Sequence, residues 1–438
     1  MKESPYTFRN IAVVGENGEA SENKYVKISN GVFEYIGNNM PSDPGRVIDG
    51  KGKALLPGFY NTHTHSPMLL LRGTAEDVPF DTWLNDTILP LEDMLETEDI
   101  YPAAMLSIAE MLASGTVSAS DTYMFAGEIA KAFIDSGMKA NIARPVVDFD
   151  GSFDPSTDRR FAEEKALFEE FNGAGNGRLK VDFAYHAVYS ATDALIDKTS
   201  DYVSKNGMIQ QIHLSESRWE VGNCKIRYGA SPVGFFASRG VFEMPTLAAH
   251  CVHISDEDIS VLKDKGVFVA SNPASNLKLG NGVCPVNKLL DTGINISVGT
   301  DGAASNNSLD IVKEAYLLAL LQKGLNETPE KPSAKQIFKM LTVNGALAQG
   351  RRGGTVKQGS TADFCVADVE RISALPAFDP LETLIYGGSG NNIVMTAVDG
   401  VILYENGEYT TIDIEKYRFK LDRSKSRFIK YLKHTKGH

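Results

Sequence analysis

The middle of the chain repeats a strand followed by a helix eight times, and this rhythm constrains the fold more than any other feature. Strand-like segments such as "KVDFAYHAVY" alternate with helix-like segments such as "AGEIAKAFIDSG" and "DEDISVLKDKG", which end on glycine. Glycine suits the C-terminal end of a helix because it adopts left-handed backbone angles without strain. Eight such units in one continuous region predict an α/β fold, a TIM (β/α)8 barrel rather than an open sheet.

Both ends of the chain instead consist of short strand-like runs joined by tight turns. Asn-Gly or Asp-Gly pairs at positions 30–31, 399–400 and 406–407 are typical of β-hairpins. We therefore expect the two flanks to assemble into one small β-sandwich domain. The predicted domains are residues 1–56 (first part of the sandwich), 57–350 (barrel), 351–412 (second part of the sandwich) and 413–438 (C-terminal helix).

Composition narrows the class of partner and the compartment. The net charge of -12 argues against a nucleic acid or an anionic membrane as partner, because such surfaces require clustered Lys and Arg. The four cysteines are far apart and form no CxxC pair, which argues against a disulfide framework or a thiolate zinc site. No export signal or long apolar run is evident. We expect a cytoplasmic protein with a small-molecule substrate, and the sequence leaves a homo-oligomeric state open.

The histidines are concentrated in the predicted barrel. Of eight histidines, six fall in or directly after its strands. Because the carboxyl ends of barrel strands converge on one face, where barrel enzymes carry out their chemistry, these residues are expected to cluster in space. His253 follows the strand period of Cys251 rather than that of His250, so we expect it to pack behind the site. The six residues are His63, His65, His186, His213, His250 and His253.

The pair His63 and His65 is the strongest indication of a metal ion. Residues two apart on a strand point to the same side, and burying two unpartnered imidazoles is costly. A divalent cation removes this cost, and imidazole and carboxylate suit zinc, iron and manganese alike. Asp301, which alone would indicate a turn before glycine, ends the strand that closes beside the first. Glu216 lies three residues after His213, where a proton carrier would stand, although a solvated loop carboxylate also fits.

Together these motifs resemble one known family. The segments "PGFYNTHTHSPMLLLRG", "IHLSES", "AAHCVH", "SNPASNLKLGNG" and "GTDGAASNN" are similar to those of the amidohydrolase superfamily, within it the 5'-methylthioadenosine/S-adenosylhomocysteine deaminases. Triazine hydrolases and guanine and cytosine deaminases are related members. The resemblance runs through the barrel and both flanks in the same order. HxH alone is a weak signal, but the combination is highly specific.

The resemblance implies roles for the residues around the metal. Glu216 matches the acid that protonates the purine ring nitrogen, and His250 matches the histidine that orients and polarises the attacking water. Asp301 matches the carboxylate that binds the ion and handles a proton. The implied catalytic residues are Glu216, His250 and Asp301. The implied metal ligands are His63, His65, His213 and Asp301.

Further matching residues are implied to bind the substrate. Glu92 matches the acid that holds the ribose hydroxyls, although a carboxylate at the start of a helix also has a purely structural explanation. Arg144 matches an arginine at the thioether or amino-acid end of the substrate. A second arginine is expected in the loop "DFDGSFDPSTDRRF", whose spacing departs from the family pattern and offers Arg159 and Arg160. The implied substrate-binding residues are Trp83, Glu92, Arg144, Arg160, His186, Glu216 and Ser305.

The expected function is metal-dependent hydrolytic deamination of an adenosine-type nucleoside to the inosyl product and ammonia. Candidate substrates are 5'-methylthioadenosine, S-adenosylhomocysteine, 5'-deoxyadenosine and adenosine. The alternative within the superfamily is a hydrolase of a guanine, cytosine, pterin or s-triazine ring, and a third possibility is a non-catalytic metal-binding protein. We expect one divalent ion, Zn2+ first and Fe2+ or Mn2+ as alternatives. A bridging lysine for two ions is not evident, because Lys180 lies at the start of its strand.

Overall fold

The computed structural model of the protein describes residues 4–80 and 82–435. The strands are β1 (Tyr6–Val14), β2 (Ala20–Ser29), β3 (Val32–Gly37), β4 (Arg46–Asp49), β5 (Lys53–Pro57), β6 (Phe59–Thr64), β7 (Thr116–Thr122), β8 (Lys139–Ala143), β9 (Leu179–Val181), β10 (Phe183–His186), β11 (Gln210–Leu214), β12 (Thr246–His250), β13 (Phe268–Ser271), β14 (Ile296–Val298), β15 (Phe364–Asp368), β16 (Ile393–Val398), β17 (Val401–Glu405) and β18 (Glu408–Tyr409). The α-helices are α1 (Leu89–Glu92), α2 (Thr97–Ala113), α3 (Ala126–Ser136), α4 (Arg159–Phe171), α5 (Ala174–Gly177), α6 (Asp193–Asn206), α7 (Arg218–Tyr228), α8 (Pro232–Ser238), α9 (Asp256–Asp264), α10 (Pro273–Lys278), α11 (Val286–Thr292), α12 (Ala303–Asn306), α13 (Ile311–Asn326), α14 (Ala334–Leu341), α15 (Val343–Ala348), α16 (Pro380–Gly387) and α17 (Ile414–Thr435).

The middle of the chain forms two parallel sheets, in the orders β6-β7-β8-β9 and β10-β11-β12-β13-β14. Helices separate most of these strands, which confirms the predicted α/β pattern. The fourth predicted strand is interrupted at Asp182 into β9 and β10. At this position the Asp182 carboxylate accepts hydrogen bonds from the side-chain amides of Asn141 and Gln211, at 2.9 Å each. Two backbone hydrogen bonds of 2.9 Å connect the two sheets, from Val146, which follows β8, to Ala184 of β10, and from Asp301, which follows β14, to His63 of β6.

The predicted glycine caps are present at the ends of the connecting helices. Gly137 follows α3 with φ of 83° and Gly266 follows α9 with φ of 65°. At the opposite ends, side-chain hydroxyls accept hydrogen bonds from the first turn, as Ser217 does for α7 and Ser255 for α9. These caps allow each helix to begin and end within a few residues of the parallel strands.

The two flanks of the chain join in a single nine-stranded sheet. Its order is β18-β17-β16-β15-β5-β1-β2-β3, and β4 pairs with β1. The flanks meet where β5 runs antiparallel to β15, with Leu55 opposite Val366. Positive φ angles at Asn30, Asp399 and Asn406 show the left-handed turns expected of the Asn-Gly and Asp-Gly hairpins.

The C-terminal helix α17 packs against α2. Ser424 and Arg427 of α17 hydrogen-bond to the buried carboxylate of Asp99, and Tyr101 and Tyr417 lie with ring centroids 5.8 Å apart. A helix was predicted for residues 413–438, of which residues 436–438 lie outside the described residues. Over the ranges that the structure describes, no helix has both the length and the apolar character needed to cross a membrane.

Candidate active site and metal centre

Left-handed backbone angles concentrate where the parallel strands end. His186, His250 and Asp301 have φ of 64°, 75° and 61°, and Ser215 and Cys251 share this conformation. Such angles cost a non-glycine residue about 1–3 kcal/mol and are typical of functional sites. The chain therefore gives up stability at the carboxyl ends of β10, β11, β12 and β14.

Four side chains converge there as metal ligands do. Asp301 Oδ1 lies 3.5 Å from His63 Nε2 and 3.3 Å from His65 Nε2, and His213 Nε2 lies 3.3 Å from His65 Nε2. His63 Nε2 is buried and has no hydrogen-bond partner among the described residues. Neutral imidazoles whose lone pairs face one point fit a cation at that point, so the donor set suits a divalent metal.

The Nδ1 atoms of two of these histidines contact backbone oxygens at the ends of the surrounding strands. His65 Nδ1 lies 2.5 Å from the carbonyl oxygen of Thr122, and His213 Nδ1 lies 2.9 Å from that of His186. A carbonyl oxygen can only accept, so both rings donate through Nδ1. Each Nε2 therefore presents its lone pair to the shared centre, the arrangement that fixes the tautomer of metal-binding histidines.

Asp301 is the ionised member of this cluster. Burial alone would raise its pKa, but the imidazoles of His63 and His65 beside Oδ1 hold that pKa well below its usual range. Its second oxygen, Oδ2, accepts hydrogen bonds from the hydroxyls of Ser275 at 2.5 Å and Ser305 at 2.8 Å. Ser305, predicted to contact substrate, therefore orients Asp301 as well as lining the cavity described below.

Two further groups flank the cluster. His250 Nδ1 donates to Asn276 Oδ1 at 2.9 Å, and its ring centroid lies 5.3 Å from that of His63. Glu216 Oε1 accepts from Asn281 Nδ2 at 2.8 Å, and burial raises the pKa of Glu216. A carboxyl group with a raised pKa in a site of this kind is suited to accept and return a proton.

The sequence did not assign roles to Asn276 and Asn281, although both belong to the quoted segment "SNPASNLKLGNG". The only signal was the abundance of asparagine, which is equally typical of turns. His253, expected to pack behind the site, contacts the backbone oxygen of Asn281 through Nε2 at 2.7 Å. Glu220 was also missed. Its carboxyl group accepts from the backbone N–H of Glu216 at 2.7 Å, and burial raises its pKa to about 8.

A cavity of about 850 Å³ opens above the cluster. Apolar side chains such as Phe80, Leu84 and Ile88 form one wall, and imidazoles and carboxylates form the floor. His63, which is buried, is the one predicted site residue outside its lining. The predicted residues that line the cavity are His65, Trp83, Glu92, Arg144, Arg160, His186, His213, Glu216, His250, Asp301 and Ser305.

Glu92 lies on the wall of this cavity, at the end of α1. Its Oε1 accepts a hydrogen bond of 2.6 Å from the hydroxyl of Tyr123, and burial raises its pKa. Trp83, nearby, is buried, and its Nε1 has no hydrogen-bond partner within the described ranges. Tyr123 was not identified from the sequence, because nothing local links it to a residue 31 positions earlier.

The arginines share one carboxylate on the same wall. Glu163 accepts through Oε2 from Arg144 Nε at 2.8 Å and through Oε1 from Arg159 Nε at 2.7 Å. Arg160 lines the cavity and is exposed. Glu163 also lines it and was missed, although its spacing of four residues from Arg159 on α4 is a helical ion-pair signal.

Comparisons with known proteins agree with this geometry. The model of the amidohydrolase family matches residues 54–403. A 5-methylthioadenosine/S-adenosylhomocysteine deaminase of Acetivibrio thermocellus is 36% identical over 427 residues, covering 96% of this chain and 98% of that protein. A 5'-deoxyadenosine deaminase of Methanosarcina acetivorans is 37% identical over 395 residues, covering 90% and 91%.

A solved structure is similar over nearly the whole chain. It is an adenosine deaminase from Xanthomonas campestris with bound zinc, with a TM-score of 0.91, 28% identity, and coverage of 97% of this chain and 98% of that one. The resemblance found in the sequence motifs is therefore confirmed by the family match and by these relatives. The chain belongs to the amidohydrolase family.

Proposed function

We propose that the protein is a metal-dependent hydrolytic deaminase of adenosine-type nucleosides. It converts 5'-methylthioadenosine, S-adenosylhomocysteine, 5'-deoxyadenosine or adenosine to the inosyl product and ammonia. The observation that carries the proposal is a single cavity that combines a histidine and aspartate cluster, the protonatable Glu216 and, on its wall, Glu92. The relatives named as deaminases of 5-methylthioadenosine, S-adenosylhomocysteine and 5'-deoxyadenosine support it.

The ligands of one divalent ion are proposed to be His63, His65, His213 and Asp301. The unpartnered His63 Nε2 and the zinc in the Xanthomonas campestris enzyme support Zn2+, while Fe2+ and Mn2+ suit the same donors. A second ion would require a bridging lysine. Lys180 does not provide it, since its Nζ contacts the backbone oxygen of Gly350 at the other end of the strands. An ion held by these ligands lowers the pKa of water to about 7 and so supplies a nucleophile at neutral pH.

The side chains around the cluster then move protons. Glu216 takes a proton from the attacking water and delivers it to the ring nitrogen, so that the neighbouring carbon accepts the water oxygen. His250, fixed by Asn276, orients the water through Nε2. Asp301 takes the remaining hydroxyl proton and passes it to the amino group, which leaves as ammonia when the carbon–nitrogen bond breaks and the carbonyl forms. The three groups, Glu216, His250 and Asp301, line the same cavity, which supports this assignment.

The walls of the cavity are proposed to select the nucleoside. Glu92 binds the ribose hydroxyls, with Trp83 and His186 against the ribose and the ring. Arg144 and Arg160 face the 5' substituent, and Ser305 lies near the reacting end. The alternative substrates, a guanine, cytosine, pterin or s-triazine ring, have no ribose and leave the buried carboxylate of Glu92 without a ligand.

For the fold, we propose that the two parallel sheets are halves of one closed (β/α)8 barrel and that the nine-stranded sheet folds as a β-sandwich. The hydrogen bonds between the sheet edges support closure. The proposed domains are residues 1–56 and 351–412 for the sandwich, 57–350 for the barrel and 413–438 for the terminal helix. A cytoplasmic location and a homo-oligomeric state stay predictions.

The test is ammonia release from a panel of adenosine derivatives and free bases, with the metal content of the same preparation measured. We expect turnover of at least one 5'-substituted adenosine and little turnover of free bases. A fully metallated protein that acts on guanine, cytosine, a pterin or an s-triazine, and on no nucleoside, would support the alternative. A metallated protein that releases ammonia from none of them would indicate a binding protein.

A further inference from the structure

A second cavity lies at the amino ends of the parallel strands, opposite the active-site cavity. Its volume is about 270 Å³. Lys139, the first residue of β8, and Lys180 of β9 line it, together with Tyr60 of β6. It opens to solvent beside Asn176 and Arg352, which are exposed. We call it the basal cavity.

The basal cavity carries an excess of positive charge, in contrast to the chain's net charge of -12. Its two carboxylates, Asp363 and Asp399, both pair with Lys139, at 2.5 Å and 2.6 Å. Over the described ranges, no carboxylate forms an ion pair with any of the other four cationic side chains. The cationic side chains of the lining are Lys139, Arg178, Lys180, Arg351 and Arg352.

Two of these guanidinium groups are also incompletely hydrogen-bonded. Arg351 is 9% exposed, and its Nη2 donates to the backbone oxygen of Ala140 at 2.7 Å and to that of Arg178 at 2.8 Å. The Nε atoms of Arg351 and Arg178 are both buried and have no partner in the described part of the chain. Buried donors without partners are rare, and each requires a ligand, an ion or ordered water.

We propose that the basal cavity binds a small oxyanion, a phosphate group or a carboxylate, through Arg178, Arg351 and Arg352. Guanidinium groups without a carboxylate partner bind such oxygens through charge-assisted hydrogen bonds, which a partly desolvated setting strengthens. The volume is below the range of about 300–1,000 Å³ for drug-sized ligands, which favours a small anion over a nucleoside.

Binding of the anion stabilises the folded protein. Arg351 connects β8 to the residue before β9 through its two backbone contacts, and Lys180 connects β9 to Gly350. The same arginines can bind the anion only when these elements are in place. Binding of the anion therefore favours the folded state. The active-site cavity is at the other end of the strands, so nucleoside and anion bind without competition.

The experiment is calorimetric titration of the metal-loaded protein with inorganic phosphate, and separately with acetate, at constant ionic strength. Wild type is compared with Arg352→Gln and Arg178→Gln, and Arg423→Gln on the exposed face of α17 serves as the matched control. We expect one site for at least one anion, Kd at least about tenfold weaker in both cavity variants, and no change in the control. A tenfold excess of anion over Kd should raise Tm by about 1–2 °C in wild type.

If Arg178→Gln fails to fold, Arg352→Gln still tests the proposal, because Arg352 is exposed. If the wild-type protein bound neither anion, the proposal would be overturned, because water would then be the partner of the buried guanidinium groups. Equal affinity of wild type and Arg352→Gln would also overturn it. So would loss of phosphate binding in the presence of saturating nucleoside, which would place the anion in the active-site cavity.

Discussion

The two ends of the same parallel strands have opposite electrostatic character. At the carboxyl ends, imidazoles and carboxylates converge with lone pairs that face a shared centre, and the backbone is left-handed at His250 and Asp301. At the amino ends, Lys139 is held between two carboxylates, and Arg351 donates to backbone oxygens. The comparison indicates that the carboxyl ends serve chemistry and the amino ends serve stability. Substitutions at the two ends should therefore change different measurements.

Removal of a metal ligand should have the largest effect. We expect His63→Ala to lose bound metal and to lower kcat/KM by more than about 10³-fold, because the nucleophile and charge stabilisation both depend on the ion. His253→Ala is the matched control, since His253 follows a different strand, β12, and contacts the backbone oxygen of Asn281. Metal analysis and ammonia release measure both variants. Full metal content in His63→Ala would contradict the assigned ligand set.

Loss of the proton carrier should reduce turnover and leave the metal in place. Glu216→Gln keeps the size and the contact with Asn281 but cannot carry a proton, so we expect kcat to fall by about 10²–10⁴-fold. Glu243→Gln, a surface acid paired with Lys265, should behave as wild type. Near-normal kcat in a metallated Glu216→Gln protein would rule out the proposed proton transfer.

At the amino ends, loss of Lys139 should reduce stability. Lys139→Met leaves Asp363, which is 3% exposed, without its cation, and breaking a buried pair of this kind costs about 3–5 kcal/mol of unfolding free energy. Lys131→Met removes an exposed pair with Glu128 and should cost about 0–1 kcal/mol. Denaturant unfolding measures both. A Lys139→Met protein with wild-type stability and impaired kcat would reverse the assignment of the two ends.

The smallest effect is expected at Glu92. Glu92→Gln retains an oxygen that accepts from Tyr123 but weakens the charge-assisted hydrogen bonds to ribose. We expect kcat/KM for nucleosides to fall by about 10–150-fold, the equivalent of about 1.5–3 kcal/mol. Turnover of a free base provides the internal control and should not change. Equal losses for nucleoside and base would favour a substrate without ribose.

Sequence patterns predicted the features that follow from the periodicity of strands and helices and from the order of the strands. The glycine caps, the hairpin turns at Asn30 and Asp399, and the convergence of His63 with Asp301 all follow from strand and helix periodicity. Contacts between distant loops were beyond this reasoning. The contacts of Glu163 with two arginines and of Tyr123 with Glu92 depend on how those loops pack, and the contacts of Asp182 involve amides from two other strands.

The basal cavity was not predicted for the same reason. Arg178 precedes β9, and Arg351 follows α15 at the far end of the barrel region, so the sequence places them more than 170 residues apart. A positive cluster assembled from such distant segments produces no local charge run. Only the packing of the amino ends of the strands brings the two guanidinium groups together.

The central claim is that one metal ion at the carboxyl ends of the strands supports deamination. The most direct measurement adds Zn2+ stepwise to metal-free protein while ammonia release from 5'-deoxyadenosine or 5'-methylthioadenosine is followed. The account predicts activity that rises linearly and reaches its plateau at one equivalent of metal per chain. A plateau at two equivalents, or no ammonia release from either nucleoside at saturation, would contradict it.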